Sequence, residues 1–185
     1  MRLQLRLSCS ATALRVAMAG VAFHEAEQGC LVRAGAGEPW DGVVQRVVER
    51  GLAGLECLSG IPGTVGGTPV QNVGAYGQDV ARVIAEVDAF DRAARRTVTL
   101  RSSECGFGYR TSRFKGADRN RFVICGVAFR LTAGPGAATY PDVVRELGGT
   151  AGAPTLTTTA NAKDLVTCTA YDATPTLHCV SSLGY

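Results

Sequence analysis

The residues with most chemical potential lie in two stretches. "GLAGLECLSGIPGTVGGTPVQNVGAYGQDV", Gly51 to Val80, sets glycines and prolines among apolar residues, with Glu56 and Asp79 as its only acids. A solvated linker would be polar and Ser/Gly-rich, so Ile61, Pro62 and Val65 between Gly60, Gly63, Gly66 and Gly67 point to a packed backbone. Glycines in a packed segment mark a positive φ or a close approach to the backbone. Free N–H groups in such turns form concavities that take phosphate oxygens without a lysine. Neither G-x-G-x-x-G nor G-x-x-x-x-G-K-[ST] is present, so a dinucleotide fingerprint and a P-loop are both excluded. A phosphate or cofactor cradle and a tight structural turn both remain open. "QNVGAYGQ" follows: Asn72 could fix the loop through side-chain-to-backbone bonds, and Tyr76 could stack on a ring or be buried.

The second stretch, "ECGFGYRTSRFKG" from Glu104 to Gly116, combines glycines, aromatics and cations. Tyr109–Arg110 beside glycines could hold a guanidinium near an anion or a developing negative charge. A solvated basic loop is the alternative.

The elements that must carry these stretches are legible around them. "CLVRAG" is a short strand, and Trp40, Val43, Val44, Val47 and Val48 recur at helical spacing, with Asp41 in the first turn and Gly51 at the end. "VIAEVDAFDRAARRTVTL" reads as strand, turn and strand, with Val83, Ala85 and Val87 on one face. "RFVICGVAFRLTAG" reads as another strand, with Val123, Cys125, Val127 and Phe129 together and Gly134 at its end. The pattern is α+β. Ala151–Tyr185 differs: its eight threonines, absence of arginine and lack of a clean period read as a divergent, disordered tail.

Bulk properties exclude several classes. The 185 residues suit one cored domain or two small lobes. A net charge of +3 without a Lys/Arg cluster gives no case for nucleic acid. No apolar run reaches the ~20 residues of a membrane span, and Arg15 interrupts the one N-terminal stretch that resembles a signal peptide. The seven cysteines are scattered without C-x-x-C spacing and His24 and His178 lie far apart, so no zinc site is expected and the thiols read as free in a reducing cytoplasm.

Together, "GAGEPW…GLAGLECLSGIPGTVGGTPVQNVGAYGQDV", "ECGFGYRTSRFK" and "RFVICGVAFRL" resemble the UDP-N-acetylenolpyruvoylglucosamine reductase family, in order and spacing, over about Val16 to Leu131. The resemblance implies an FAD-binding fold of the vanillyl-alcohol-oxidase type, α+β, over residues 16–132. Residues 1–15 stay unassigned, 133–149 open a substrate domain, and 150–185 form the divergent tail. It implies FAD contacts at Ser59, Gly60, Ile61, Pro62, Gly63, Thr64, Gly66 and Gly67, then at Val73, Gly74, Ala75 and Tyr76. Ile124 matches an aliphatic position packed near the flavin. Arg110 matches the family's active-site arginine, with Tyr109 beside it. The implied partners are NADPH and a UDP-sugar, with no nucleic acid, no membrane and no metal, in a cytoplasmic monomer. NADPH would reduce the flavin, the hydride would pass to an enolpyruvyl double bond, and Arg110 would stabilise the developing enolate.

The match is partial. A G-G-G-S-N-type loop, a G-S-F-F-type serine and a late glutamate have no counterpart, and Ser181 and Ser182 stand in unrelated context. The chain therefore reads as truncated at both ends, a pattern that a frameshift in a GC-rich gene would produce. A catalytically inactive remnant that keeps part of the FAD lobe is the alternative, and an unrelated domain with structural glycine loops is a third.

Overall fold

The computed structural model describes residues 16–27 and 29–134, together with the backbone of three short strands, Thr155–Leu156, Val166–Cys168 and Leu177–Cys179. Residues 1–15, the opening of the expected substrate domain at 135–149 and most of the expected tail lie outside the described residues.

The core is a mixed-length antiparallel sheet. Strands β1 (Val21–Ala26), β2 (Gly29–Gly35), β8 (Phe122–Ala133), β6 (Ile84–Asp91) and β7 (Arg96–Arg101) lie side by side in that order, and β3 (Leu52–Ala53) pairs with the far end of β8. Strand β2 shows the period of two that a half-buried strand requires: Cys30, Val32 and Ala34 are buried, and the residues between them are not. Helix α1 (Trp40–Glu49) lays Trp40, Val43, Val44 and Val47 into the same core, its apolar stripe at the expected spacing. Trp40 meets Phe129 of β8 with ring centroids 5.8 Å apart. Arg50 and Gly51 close the helix by donating to Val47 and Val48, and Gly51 takes φ 65, the left-handed conformation of a terminating glycine.

The two long strands correct the expected faces. In β6 the buried residues are Ile84, Val87, Ala89 and Asp91, because Ala85 is an extra residue between the pairs Ile84–Phe129 and Glu86–Ala128. In β8 the buried set is Ile124, Val127, Ala128, Phe129 and Leu131, while Val123 is exposed and Cys125 only half-buried. There the pairs Asp88–Gly126 and Ala89–Ile124 leave Cys125 unpaired. Each bulge inverts the alternation on one side of itself. On the outer face Arg33 reaches across Ala128 to Glu86 at 2.6 Å and Asp88 at 3.4 Å.

Between α1 and β6 the chain runs through short pieces: 3-10 turns Glu56–Leu58 and Val65–Gly67, helix α2 (Thr68–Gln71), the hairpin β4 (Gly74–Ala75) and β5 (Gln78–Asp79), and a 3-10 turn Val80–Arg82. The strands β9 (Thr155–Leu156), β10 (Val166–Cys168) and β11 (Leu177–Cys179) form a separate three-stranded sheet. The tail thus carries some regular structure, in pieces too short to show a period.

Candidate functional site

The glycine-rich loop Ser59–Gly67 is fixed, and its fixings come from the segment that enters α1. Trp40 N donates to Gly63 O, Val65 N to Glu38 O, and Gly66 N to Ala36 O, while Ala36 N donates to Cys125 O of β8. Gly66 lies so close to Ala36 that a Cβ there would fall 2.8 Å from the Ala36 Cβ, and Ala36 is itself buried. Only glycine fits that contact. Trp40 Nε1 donates to Leu58 O at 2.8 Å. Asp41 Oδ1 accepts from both Ser59 Oγ and Gly60 N, each at 2.7 Å.

These bonds leave a row of amides without an acceptor. Among the described residues the N–H groups of Ile61, Gly63 and Thr64 donate to no protein atom, and a Cβ at Gly63 or Gly67 would meet nothing within 4 Å. Pro62, Gly63, Thr64 and Gly67 are exposed and Ile61 and Gly66 half-buried, whereas Ser59 is buried under Asp41. A rigid backbone with open space and donors facing no partner suits an anionic group such as a pyrophosphate.

The loop's leading edge is tied to the next hairpin through a buried carboxylate. Glu56 is 3 % exposed, accepts from Gly54 N at 2.5 Å and from Gln78 Nε2 at 2.7 Å, and Gln78 Oε1 accepts from Cys57 N at 3.0 Å. That hairpin forms one wall of a cleft of about 830 Å³. Gly74, Ala75 and Tyr76 line it together with Arg82, and the turn Phe107–Arg110 forms the opposite wall. Val73 stands behind, packed against the core, with its carbonyl accepting from Val80 N.

Arg110 is presented by a tight turn in which Gly108 and Thr111 exchange backbone hydrogen bonds at 3.0 and 3.2 Å. Arg110 has φ 54, a left-handed conformation that costs a side-chain-bearing residue on the order of 1–3 kcal/mol. Tyr76, across the cleft, has φ 48. The neighbouring cations differ sharply. Arg113 spends its Nε on Asp118 at 2.6 Å and an Nη on Glu104 O, and Lys115 donates to Gln71 Oε1 and to Arg110 O. Among the described residues Arg110 has no acid partner; its guanidinium lies 6.0 Å from the ring centroid of Tyr109, which is 92 % exposed. Tyr109 and Arg110 are both exposed, as in a solvated loop, whereas Arg113 is half-buried.

Asn72 holds the two walls at a set distance. It is 6 % exposed, caps α2 in a left-handed conformation, donates from Nδ2 to Gly108 O at 2.9 Å and accepts at Oδ1 from Ala81 N at 3.1 Å. The side-chain-to-backbone role expected of it is thus observed. Ser112 Oγ seats the Arg110 segment on α2 by donating to Val70 O at 2.7 Å.

The charges behind the turn are structural. Arg121 donates to Asp91 at 2.7 Å and holds its carboxyl down at about 2, and the hydrogen bond from Arg113 lowers Asp118. Burial pushes the Cys105 thiol up to about 11, so this cysteine below the turn is not a nucleophile at neutral pH. Cys30, Cys105 and Cys125 are free thiols, and no cluster with metal-ligating composition occurs among the described residues.

The structure therefore gathers the expected residues into two groups. Gly74, Ala75, Tyr76, Tyr109 and Arg110 share the cleft, whereas Ser59–Gly67 form the loop on α1. Ile124 belongs to neither; it is buried in the sheet core, next to Cys125, whose carbonyl anchors Ala36 beneath Gly66. Asp41, Glu56 and Gln78 were not foreseen as part of the site. Their contacts span 18 to 22 residues, a separation at which neither spacing nor composition gives a signal.

Comparison with known proteins gives the family. The chain matches the model of the FAD binding domain family over residues 6–100. It is 48% identical over 140 residues to UDP-N-acetylenolpyruvoylglucosamine reductase of Thermobifida fusca, covering 74% of this chain and 39% of that protein. The reductase of Streptomyces avermitilis is 49% identical over 140 residues, which cover 37% of its length. The crystal structure of the Thermus caldophilus reductase is 31% identical, with a TM-score of 0.49 over 56% of this chain and 36% of that one. The chain spans about two fifths of the length of the curated relatives it matches. The resemblance read from the motifs is borne out. No helix among the described residues is long and apolar enough to cross a membrane.

Proposed function

The chain belongs to the FAD binding domain family, as a relative of the UDP-N-acetylenolpyruvoylglucosamine reductases, and on that premise we propose that it serves NADPH-driven reduction of UDP-N-acetylglucosamine enolpyruvate to UDP-N-acetylmuramate. The setting of this reading is peptidoglycan synthesis in the cytoplasm. Residues 16–132 are the flavin-binding part. The observations that carry the reading are a cleft whose arginine has no acid partner among the described residues, and a separate loop whose amides donate to no protein atom among those residues.

FAD fits what is present. The amides of Ile61, Gly63 and Thr64 would hold its pyrophosphate, the space beside Gly63 and Gly67 admits it, and Gly74–Tyr76 would pass along it. When bound, FAD supplies hydride transfer from the nicotinamide to the substrate double bond. The chain's own work is electrostatic. Arg110 pairs with the substrate carboxylate and opposes the negative charge that develops when hydride reaches the far carbon of the enolpyruvyl group. The Gly108–Thr111 backbone bonds fix the turn from which the guanidinium projects. Tyr109 forms the outer lip of the cleft, with the Arg110 guanidinium 6.0 Å from its ring centroid.

Purified chain reconstituted with FAD tests this when NADPH consumption is followed with and without the enolpyruvyl sugar nucleotide. Substrate-dependent consumption that falls by on the order of a hundredfold or more in Arg110→Ala is expected. Absence of any consumption overturns it. Since the chain matches about two fifths of its relatives' length, flavin retention without turnover would favour the second reading, a partial FAD lobe without catalysis.

A further inference from the structure

Among the described residues two guanidinium groups line the cleft, and the reading above uses one. The other is Arg82, carried by the 3-10 turn Val80–Arg82 on the wall opposite Arg110. Among the described residues its one ion pair joins Nε to Asp79 at 3.7 Å, and neither terminal nitrogen meets an acid there. Among the described residues Asp79 is the sole acid of the lining, which there sets two arginines against one carboxylate. The Arg82–Asp79 pair is long and its arginine two-thirds exposed, so it contributes little and yields readily to a stronger anion. A planar guanidinium with two free terminal nitrogens matches a phosphate, which it can hold through paired hydrogen bonds.

The separation of the two arginines is fixed by one buried amide. Asn72 accepts from Ala81 N, the residue before Arg82, and donates to Gly108 O, which opens the turn that carries Arg110. A cleft with two cations on separately braced walls suits a ligand with two separate anionic groups.

We propose that Arg82 is a second anion-binding residue of this cleft, taking a nucleotide phosphate while Arg110 takes a carboxylate, at a spacing set by Asn72. The inference rests on the reading above for Arg110. The phosphate belongs either to the sugar nucleotide or to the nicotinamide dinucleotide, and the two share this chemistry.

Calorimetric titration of the full FAD-loaded chain separates the cases, with UDP, NADPH and pyruvate as probes. Arg82→Ala is expected to weaken one phosphate probe about tenfold, equivalent to about 1.4 kcal/mol, and to leave pyruvate unchanged. Loss confined to UDP assigns the sugar nucleotide, and loss confined to NADPH assigns the dinucleotide. Arg82→Lys should recover part of the loss, and added salt should narrow the gap between wild type and Arg82→Ala. Asn72→Asp removes the donor to Gly108 O and should weaken a ligand bearing both groups more than either single-group probe. The idea fails if Arg82→Ala binds every probe as wild type does, if pyruvate weakens as much as the phosphate probe, or if the wild-type chain binds neither phosphate probe. None of these readouts needs turnover. Phosphate binding through Arg82 in a chain that consumes no NADPH would fault the proposed function and leave this inference standing.

Discussion

The loop Ser59–Gly67 and the turn Gly108–Thr111 both depend on left-handed backbone, yet they use it in opposite ways. In the loop the positive φ values fall on Gly60 and Gly63, where they cost little, and the contacts offered outward are backbone amides. In the turn the positive φ falls on Arg110, where it is strained, and the contact offered is a side chain. The loop is gripped from below by Trp40, Asp41 and Ala36. The turn is held at its rim by Asn72 and Lys115 and leaves Arg110 without an acid partner among the described residues. Binding can rest on a relaxed backbone, whereas placing a charge at a defined point consumes some stability.

That contrast can be broken from either side. The largest effect is expected at Trp40→Ala, which removes a fully buried indole and its bond to Leu58 O. A loss of about 3–5 kcal/mol should appear in urea unfolding, with loss of FAD retention. Next comes Gly66→Ala, whose methyl would press on the buried Ala36, at a cost of about 1–3 kcal/mol. Its neighbour Gly67 has open space around the same position, so Gly67→Ala should stay within about 0.5 kcal/mol of wild type. Equal losses at the two glycines would show that the loop is not packed as described.

Asp41→Ala should cost about 1–3 kcal/mol and weaken FAD binding, because Ser59 Oγ and Gly60 N both lose their acceptor. Asp41→Asn keeps an oxygen at that point and should recover most of both. On the turn the sign reverses. Arg110→Gly should raise the unfolding midpoint by the equivalent of up to about 1 kcal/mol while lowering turnover by on the order of a hundredfold or more. A destabilised Arg110→Gly would mean that the turn is not strained by its arginine.

The smallest effect concerns acid. Asp91 titrates at about 2 in the fold because Arg121 holds its carboxylate, against an ordinary value of 3.8. A lowered folded-state value means that the stabilisation is complete above about pH 4 and is lost as pH falls through about 2. Thermal melts of wild type and Asp91→Asn should therefore converge over that window, and a constant difference would contradict the assignment.

How much of this was legible in the sequence follows from the range of each interaction. Helix α1 and strand β2 could be read because their buried residues keep one period from end to end. The faces of β6 and β8 could not, because Ala85 and Cys125 are single extra residues with no mark in composition. Ala36 beneath Gly66, and Asp41 beneath Ser59, are meetings of distant segments. The glycine pattern showed that something approaches the backbone closely and could not show which segment it was. Asn72 was legible because the bonds of a left-handed asparagine after a short helix are a local habit of that residue. Arg110 stood beside Arg113 and Lys115 with nothing local to rank them; the structure separates them by their partners.

The most direct measurement compares FAD with riboflavin on the full chain, by quenching of flavin fluorescence. If the amides of Ile61, Gly63 and Thr64 hold the pyrophosphate, FAD binds and riboflavin, which lacks phosphate, binds at least about tenfold more weakly; inorganic pyrophosphate should compete with FAD. Equal binding of FAD and riboflavin, or no binding of FAD, would contradict the loop's role.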